Sequence, residues 1–575
     1  MLAKYFTDNW GLLSFILSLI FMGLFYQVAW QYPVIDSFPL IERLLDPNYL
    51  AKDFFTNTFS EFSPRLVSAN IIIGLSKLFN IDYPYIVAFA NIVRIWLYGI
   101  GLYLFFLNLA GRSIAIIAFT LSALSFLSIP FLPAWWPITY DLTSSNIALT
   151  FAMFSWATVL KNNIHISLTF LALSVFIHPV VGIHAFIISI ILFISSNSFS
   201  EFIKLFKALS IYPFALLFSV AFFYNYLSYQ QILPDQEFID INALFRHGHH
   251  FIFSHMEIEK WISTLLMLII TIAITEYLDR GKSTRIKKIT YVIILYSIMM
   301  MVMNYLFVEL SPIRFMVSFI PMRSFPIIVP IIILAVARLA HYHWKKENFC
   351  IFFLLFIPFL PYNHVGLTWY LLPNHHELVL PIALILLVTS IILMENFNKI
   401  SFRLIDKNLK KLFHSGSIAV YMLPITVLAL LLAIFRFNIN IPTFENSPKI
   451  YQWLSQNTHT EDIIVTELNA ANNQKVRLLA RRAIVISKDF PFNELFYRQW
   501  YQRYTDLYGH RDTARGHIDS LSESTSNLLL DKYQAQILIR TQAFIDPTYF
   551  TLIGESQGEK STAYIYRNNE VPTHE

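Results

Sequence analysis

The sequence predicts a polytopic α-helical membrane protein carrying a small α/β domain at its C-terminus. Three observations predict it. Of the 575 residues 56% are hydrophobic and only 14% are charged, and the mean hydropathy is +0.53. Stretches that approach or exceed the ~18 apolar residues needed to cross a bilayer recur along the first three quarters of the chain. Beyond about residue 440 the pattern changes to short mixed segments of helical and alternating character.

The apolar stretches fall at 11–30, 85–108, 114–130, 144–160, 165–178, 180–195, 208–226, 260–278, 289–308, 321–340, 349–366, 377–395 and 417–437. That is about 13 transmembrane helices. The first is long, ends in aromatics and lacks a small-residue cleavage site, so it reads as a retained span. Basic residues set the orientation. "RGKSTRIKK" (280–288) is one cluster; Lys345 with Lys346, and Lys399, Arg403, Lys407, Lys410 and Lys411, are others. Lys161, Lys204, Lys207, Arg112 and Lys4 fall on the same side if the spans alternate. That side is expected to be the cytoplasm, with the N-terminus inside and the tail outside the plasma (inner) membrane. Longer connections, including 31–84 and 227–259, then lie on the outer face, where "PAWWP" (133–137) and "YNYLSY" (224–229) suit the headgroup belt. No internal repeat of the transporter kind is evident.

The tail, 441–575, reads as an extracytoplasmic α/β domain. "SPKIYQWLSQNT" (447–458) has helical spacing, with Ser447 as N-cap before Pro448. "DIIVTEL" (462–468), "AIVIS" (483–487) and "AQILIR" (535–540) read as strands, and 493–509 as an amphipathic helix closed by Gly509. "YFTLIGESQGEKSTAYIYR" (549–567) reads as a hairpin.

Composition excludes some chemistry. One cysteine, Cys350, rules out an intramolecular disulfide and a thiolate cluster. A net charge of +5 over this length, concentrated in short loops, describes topology and gives no reason to expect a nucleic-acid partner.

The ionisable groups gather near the outer ends of the spans. Asp36, Asp46, Asp53 and Arg65 belong to the first outer loop, and His178 in "FIHPVVGIH" sits where Pro179 interrupts a helix. "FRHGHH" (245–250) brings Arg246, His247, His249 and His250 together, and Arg314 and Arg323 lie in "VELSPIRFMVSFIPMRS". Such groups are costly near membrane depth unless paired or bound to a ligand. Asp46 before Pro47 suits a turn, and Asp53 is as well explained by a solvated helix face as by chemistry. His249 and His250 are adjacent, so on a helix they would point about 100° apart. That spacing does not indicate a metal site; anion recognition by Arg246 and neighbouring imidazoles fits better. A divalent cation stays open but is not indicated by spacing.

An acidic first outer loop, many crossings and a soluble C-terminal domain on the same face resemble the GT-C superfamily of polytopic glycosyltransferases. "YLAKDFF…SPR", "HPVVGIHA", "FRHGHH" and "KDFPFNE" (488–494), with "W…NT…D" over 453–462, resemble more closely an uncharacterised bacterial membrane family. The resemblance implies transfer of a sugar from a polyprenyl-phosphate carrier, within the cell envelope, to a glycan, lipid or protein acceptor. It implies a first-loop aspartate as base, with Asp36 and Asp53 as rivals. It also implies that basic residues, among Arg65, His178, Arg246, His249, His250, Arg314 and Arg323, hold the carrier phosphate or substrate. The Asp-Asp or Asp-Glu pair that many members carry at the start of this loop is absent. A transporter or lipid flippase, or a non-catalytic assembly protein, are the alternative readings.

Overall fold

A computed structural model gives the fold. It describes residues 34–60, 64–125, 142–196, 232–246, 258–356, 376–397, 448–467, 473–486, 493–508, 531–541, 549–557 and 562–569, with 16, 20, 203, 252, 254, 528 and 543 singly. The expected spans at 11–30, 208–226 and 417–437, and most of 349–366, lie outside the described residues.

The first outer loop is mostly helix: α1 (Val34–Leu45), α2 (Phe54–Ser60) and α3 (Pro64–Phe79). The membrane part then runs α4 (Tyr83–Ala110), α5 (Arg112–Ser125), α6 (Ser144–Leu160), α7 (Ile164–Ile177) and α8 (Pro179–Ser196). It continues with α9 (Asp235–Ile239), α10 (Ile258–Leu278), α11 (Arg285–Asn304), α12 (Arg314–Phe319), α13 (Ile328–Lys345), α14 (Phe349–Leu354) and α15 (His376–Phe397).

Among the described residues five helical runs are long and apolar enough to cross a membrane: Tyr83–Ala110, Pro179–Ser196, Ile258–Leu278, Arg285–Leu310 and Arg314–Lys345. Shorter apolar helices cover Arg112–Ala123, Ser144–Leu160, Ile164–Ile177 and Ile382–Ile392. The chain is a multi-pass helical membrane protein with a small C-terminal sheet.

Local chemistry sets the helix ends. Pro84 opens α4, and Gly111, at φ +82°, closes it by donating its N–H to Leu107 O (3.1 Å). Thr143 caps α6 through its hydroxyl, which accepts from Asn146 N (3.3 Å). Thr284 does the same for α11, accepting from Lys287 N (3.1 Å). The same hydroxyl donates to Asp279, which also accepts from Arg338 (2.8 Å), so α10, α11 and α13 are tied at one end. At α8, Gly182 lies against the backbone of α7: a Cβ there would meet Val175 Cα at 2.3 Å.

The tail folds as α16 (Lys449–Asn457), α17 (Tyr497–Tyr508) and a five-stranded sheet. Its strands are β1 (Ile463–Thr466), β2 (Ala483–Ile484), β3 (Ala535–Arg540), β4 (Phe550–Gln557) and β5 (Thr562–Asn568), in the order β2-β1-β3-β5-β4. The first three are parallel and the last two antiparallel. α16 begins at Lys449 with Pro448 in the cap position, one residue later than the Ser447 cap expected. Gly554 is a close approach: a Cβ there would lie 2.4 Å from the Trp453 ring of α16.

Two apolar cores result. The larger joins α4–α8, α10, α11, α13 and α15. The second joins the first loop (Phe38, Ile41, Phe55, Ile72), residues 233–245 with Ile252, the start of α4 (Ile86, Val87), and Val308 and Val317 to the sheet and helices of the tail. The start of α4, the end of Arg285–Leu310 and the start of Arg314–Lys345 therefore meet on the tail-bearing side.

Candidate functional site

The candidate site lies where two helices break against one another, one turn from the tail-bearing core. The first break is at His178–Pro179. His178 closes α7 and its Nδ1 accepts the N–H of Val181 (3.3 Å) in the first turn of α8. A backbone N–H can only donate, so Nδ1 is unprotonated and Nε2 carries the hydrogen in the neutral ring. No partner for Nε2 is found among the described residues.

The second break lies just before the expected span 321–340, within the apolar run Arg314–Lys345. α12 stops at Ile320, whose φ of +49° is left-handed. Pro321 then opens a 3₁₀ turn over Pro321–Ile327 before α13 resumes. A β-branched residue in that region is strained by about 1–2 kcal/mol and persists only where its surroundings hold it. Here His184 of α8 holds it. Its Nε2 donates to the carbonyls of Phe319 (3.0 Å) and Ile320 (3.1 Å), while Nδ1 accepts from the Tyr296 hydroxyl (3.3 Å). The His184 ring also packs on Phe319, with centroids 4.3 Å apart. Three helices thus fix a stretch of carbonyls that a continuous helix would have bonded internally.

Arg323 sits on that 3₁₀ turn, its N–H on Ile320 O (2.9 Å). Its side chain is half-buried. Among the described residues it has no hydrogen-bond or ion-pair partner. A half-buried, unpaired guanidinium is costly unless something anionic meets it. With the Nε2–H of His178, this break pair presents donors and, among the described residues, no paired carboxylate, which suits a phosphate or carboxylate ligand.

Other expected site residues are employed in the fold. Asp53 is fully buried and caps α2: one oxygen accepts Thr56 N (2.7 Å) and Oγ1 (2.6 Å), and the other accepts Ile484 N (3.1 Å) on edge strand β2. Arg477, also buried, lies 3.8 Å away. Asp53 is thus the pin between the first loop and the tail sheet, closed to an acceptor, and it covers an otherwise open strand edge. Nearby, Arg503 lies over Phe54 (4.4 Å) and Tyr533 (5.0 Å), and burial lowers its pKa against the opposing charges of Tyr533 and Asp53. Tyr49 donates to Arg477 O (2.7 Å), and burial first, then the Glu42 carboxylate, pushes its phenol up.

Arg314 is likewise taken. It donates to Glu494 (2.6 Å), to Leu233 O (2.8 Å) and to Asp235 (3.2 Å), and stacks on Phe238 (4.4 Å). Glu494 is fully buried and also accepts Leu233 N. Asp46 accepts Asn48 N (2.9 Å) in a turn, as expected.

His249 and His250 lie outside the described residues, as do the side chains of Asp36, Arg65 and Arg246, whose backbones are helical. The residue before Arg246 is firmly held: Phe245 meets Trp500 (5.6 Å), Tyr501 (4.8 Å) and Tyr504 (4.8 Å) of α17 edge-on. Among the described residues no three His, Cys, Asp or Glu side chains converge as a metal site. Sequence reasoning missed His184, although it stands in the quoted "HPVVGIH", and missed Glu494 and the break at Ile320.

The family described as Domain of unknown function (DUF6798) matches residues 445–507, the part of the tail from α16 to α17. No curated protein matches the chain in sequence. Solved structures of similar chain course include three of the Archaeoglobus fulgidus oligosaccharyltransferase. The form tethered by a disulfide to an acceptor peptide containing the NVT sequon has 11% identity and TM-score 0.44, covering 94% of this chain and 70% of that one. The apo form gives 11% and 0.42 over the same shares. The archaeal oligosaccharyltransferase AglB in complex with an inhibitory peptide and a dolichol-phosphate gives 10% and 0.41, over 93% and 69%. Likeness at this level says nothing of activity.

Proposed function

We propose that this chain is a glycosyltransferase of the GT-C kind, which moves a sugar from a polyprenyl-phosphate carrier to an acceptor at the outer face of a bacterial inner membrane. The observation that carries the reading is Arg323: half-buried, unpaired among the described residues, and set on the strained break that follows Ile320. In this reading the N-terminus is cytoplasmic, and the tail and the first loop are extracytoplasmic, opposite the basic loops.

The chemistry asks three things of the site. The acceptor hydroxyl loses its proton as its oxygen attacks the anomeric carbon. We assign that proton to Asp36, on α1, because both oxygens of its rival Asp53 are occupied. The bond from that carbon to the phosphate oxygen breaks, and its electron pair leaves with the lipid phosphate. Arg323 and the Nε2–H of His178 donate to the phosphate as this charge grows, and preorganised donors of this kind act most strongly where water is excluded. Arg246, His249, His250 and Arg65 are further donors to carrier or substrate in this reading. Arg314 supports them indirectly, by fixing the segment 233–246.

Binding tests the assignment. Native mass spectrometry of the purified protein should show polyprenyl phosphate retained in preference to the uncharged polyprenol. Arg323→Gln should lose that preference, by roughly 10- to 100-fold for a charge-assisted contact of about 1.5–3 kcal/mol. Equal retention of the two lipids by the unaltered protein would remove the basis for the reading.

A further inference from the structure

We infer that α3 lies in the membrane interface, its outward face seated among lipid. Ile71, Leu78 and Phe79 are 57%, 74% and 59% exposed. Ile71, Gly74 and Leu78 form one stripe at helical spacing, while Ala69, Ile72 and Ile73 on the opposite face are buried in the tail-bearing core. The helix is therefore apolar on both sides, which water does not favour over so long a patch.

The stripe continues across the turn into the membrane-spanning α4, through Ile81 (45%), Tyr85 (56%) and Phe89 (64%). That continuity with a lipid-facing span identifies the occupant as lipid. Polar groups along the stripe support it. Asn70 spends its amide on Leu66 O (2.8 Å) within the same helix. In the turn, Ser76 Oγ donates to Ile81 O (2.6 Å) while Ile81 N donates to Ser76 O (3.1 Å). These bonds lie within the helix and its turn, as suits a low-dielectric setting. Lys77, exposed on the same side, can reach a headgroup phosphate with its ammonium while its stem stays in the apolar layer.

Spin labelling tests this independently of any catalytic reading. In a Cys350→Ser background, Ile71→Cys and Leu78→Cys are each labelled with a nitroxide. The protein is placed at one copy per nanodisc of phosphatidylethanolamine and phosphatidylglycerol. Relaxation by oxygen should exceed relaxation by a water-soluble nickel chelate several-fold at both sites, as at Phe89→Cys and in contrast to exposed Glu461→Cys. Dominant nickel relaxation would place the face in water. Weak relaxation by both would mean that protein covers it. Either result overturns the proposal, and the two labelled sites guard against one variant failing to fold.

Discussion

At Arg323 the balance of terms is simple. A guanidinium that no carboxylate answers among the described residues either meets a ligand or carries a standing penalty, and the break at Ile320 places it on the 3₁₀ turn. Arg323→Lys should fall between the unaltered protein and Arg323→Gln in polyprenyl phosphate retention, because an ammonium keeps the charge and loses the planar fork. Asp53 makes the opposite case. Removing its carboxylate leaves the N–H groups of Thr56 and Ile484 unanswered and a buried Arg477 beside them. Asp53→Ala should destabilise by about 2–4 kcal/mol, read as a fall in the melting temperature of the detergent-solubilised protein. Polyprenyl phosphate retention by the fraction still folded should survive. Sequence reasoning expected Asp53 as a rival base and Arg314 as a phosphate donor, whereas both are hydrogen-bonded within the fold. Their partners Ile484 and Glu494 lie 431 and 180 residues away, and local pattern carries no trace of such pairings.

Element by element, the helices were the most legible part. Apolar runs marked the spans at 85–108, 180–195, 260–278 and 289–308, and alternation marked the tail strands. The helix break at 320 was not legible, because isoleucine is among the residues least suited to a left-handed conformation, and only His184 and Tyr296 explain its presence. At the other break the sequence signal was sound: His178 caps and Pro179 begins the next helix. Gly182 completes that turn, letting α8 approach the backbone of α7. Gly182→Ala should cost about 1–3 kcal/mol, since the atoms it meets are backbone and cannot withdraw. Thermal unfolding against Gly74→Ala, where a Cβ meets nothing within 4 Å, is the control.

Across the whole molecule the tail is not an appendage. One apolar core runs from the first loop through 233–245 into the sheet, and two buried carboxylates, Asp53 and Glu494, bind the parts across it. Breaking the Arg314–Glu494 pair from one side, by Arg314→Ala, leaves a buried charge unanswered and should cost about 3–5 kcal/mol. Arg314→Met with Glu494→Leu together should recover part of that loss, as measured by thermal unfolding. The sequence located this domain by composition and could not show that it shares a core with the loops. That union brings the first-loop helices, Phe245 and the end of α12 beside the tail. Turnover is the most direct measure of the central claim. Reconstituted vesicles would be supplied with labelled polyprenyl-phosphate sugars and bacterial envelope acceptors. The account predicts transfer of label to an acceptor with release of polyprenyl phosphate, both abolished by Arg323→Gln and by Asp36→Asn. Movement of the intact lipid between leaflets, with no sugar transferred, would contradict it.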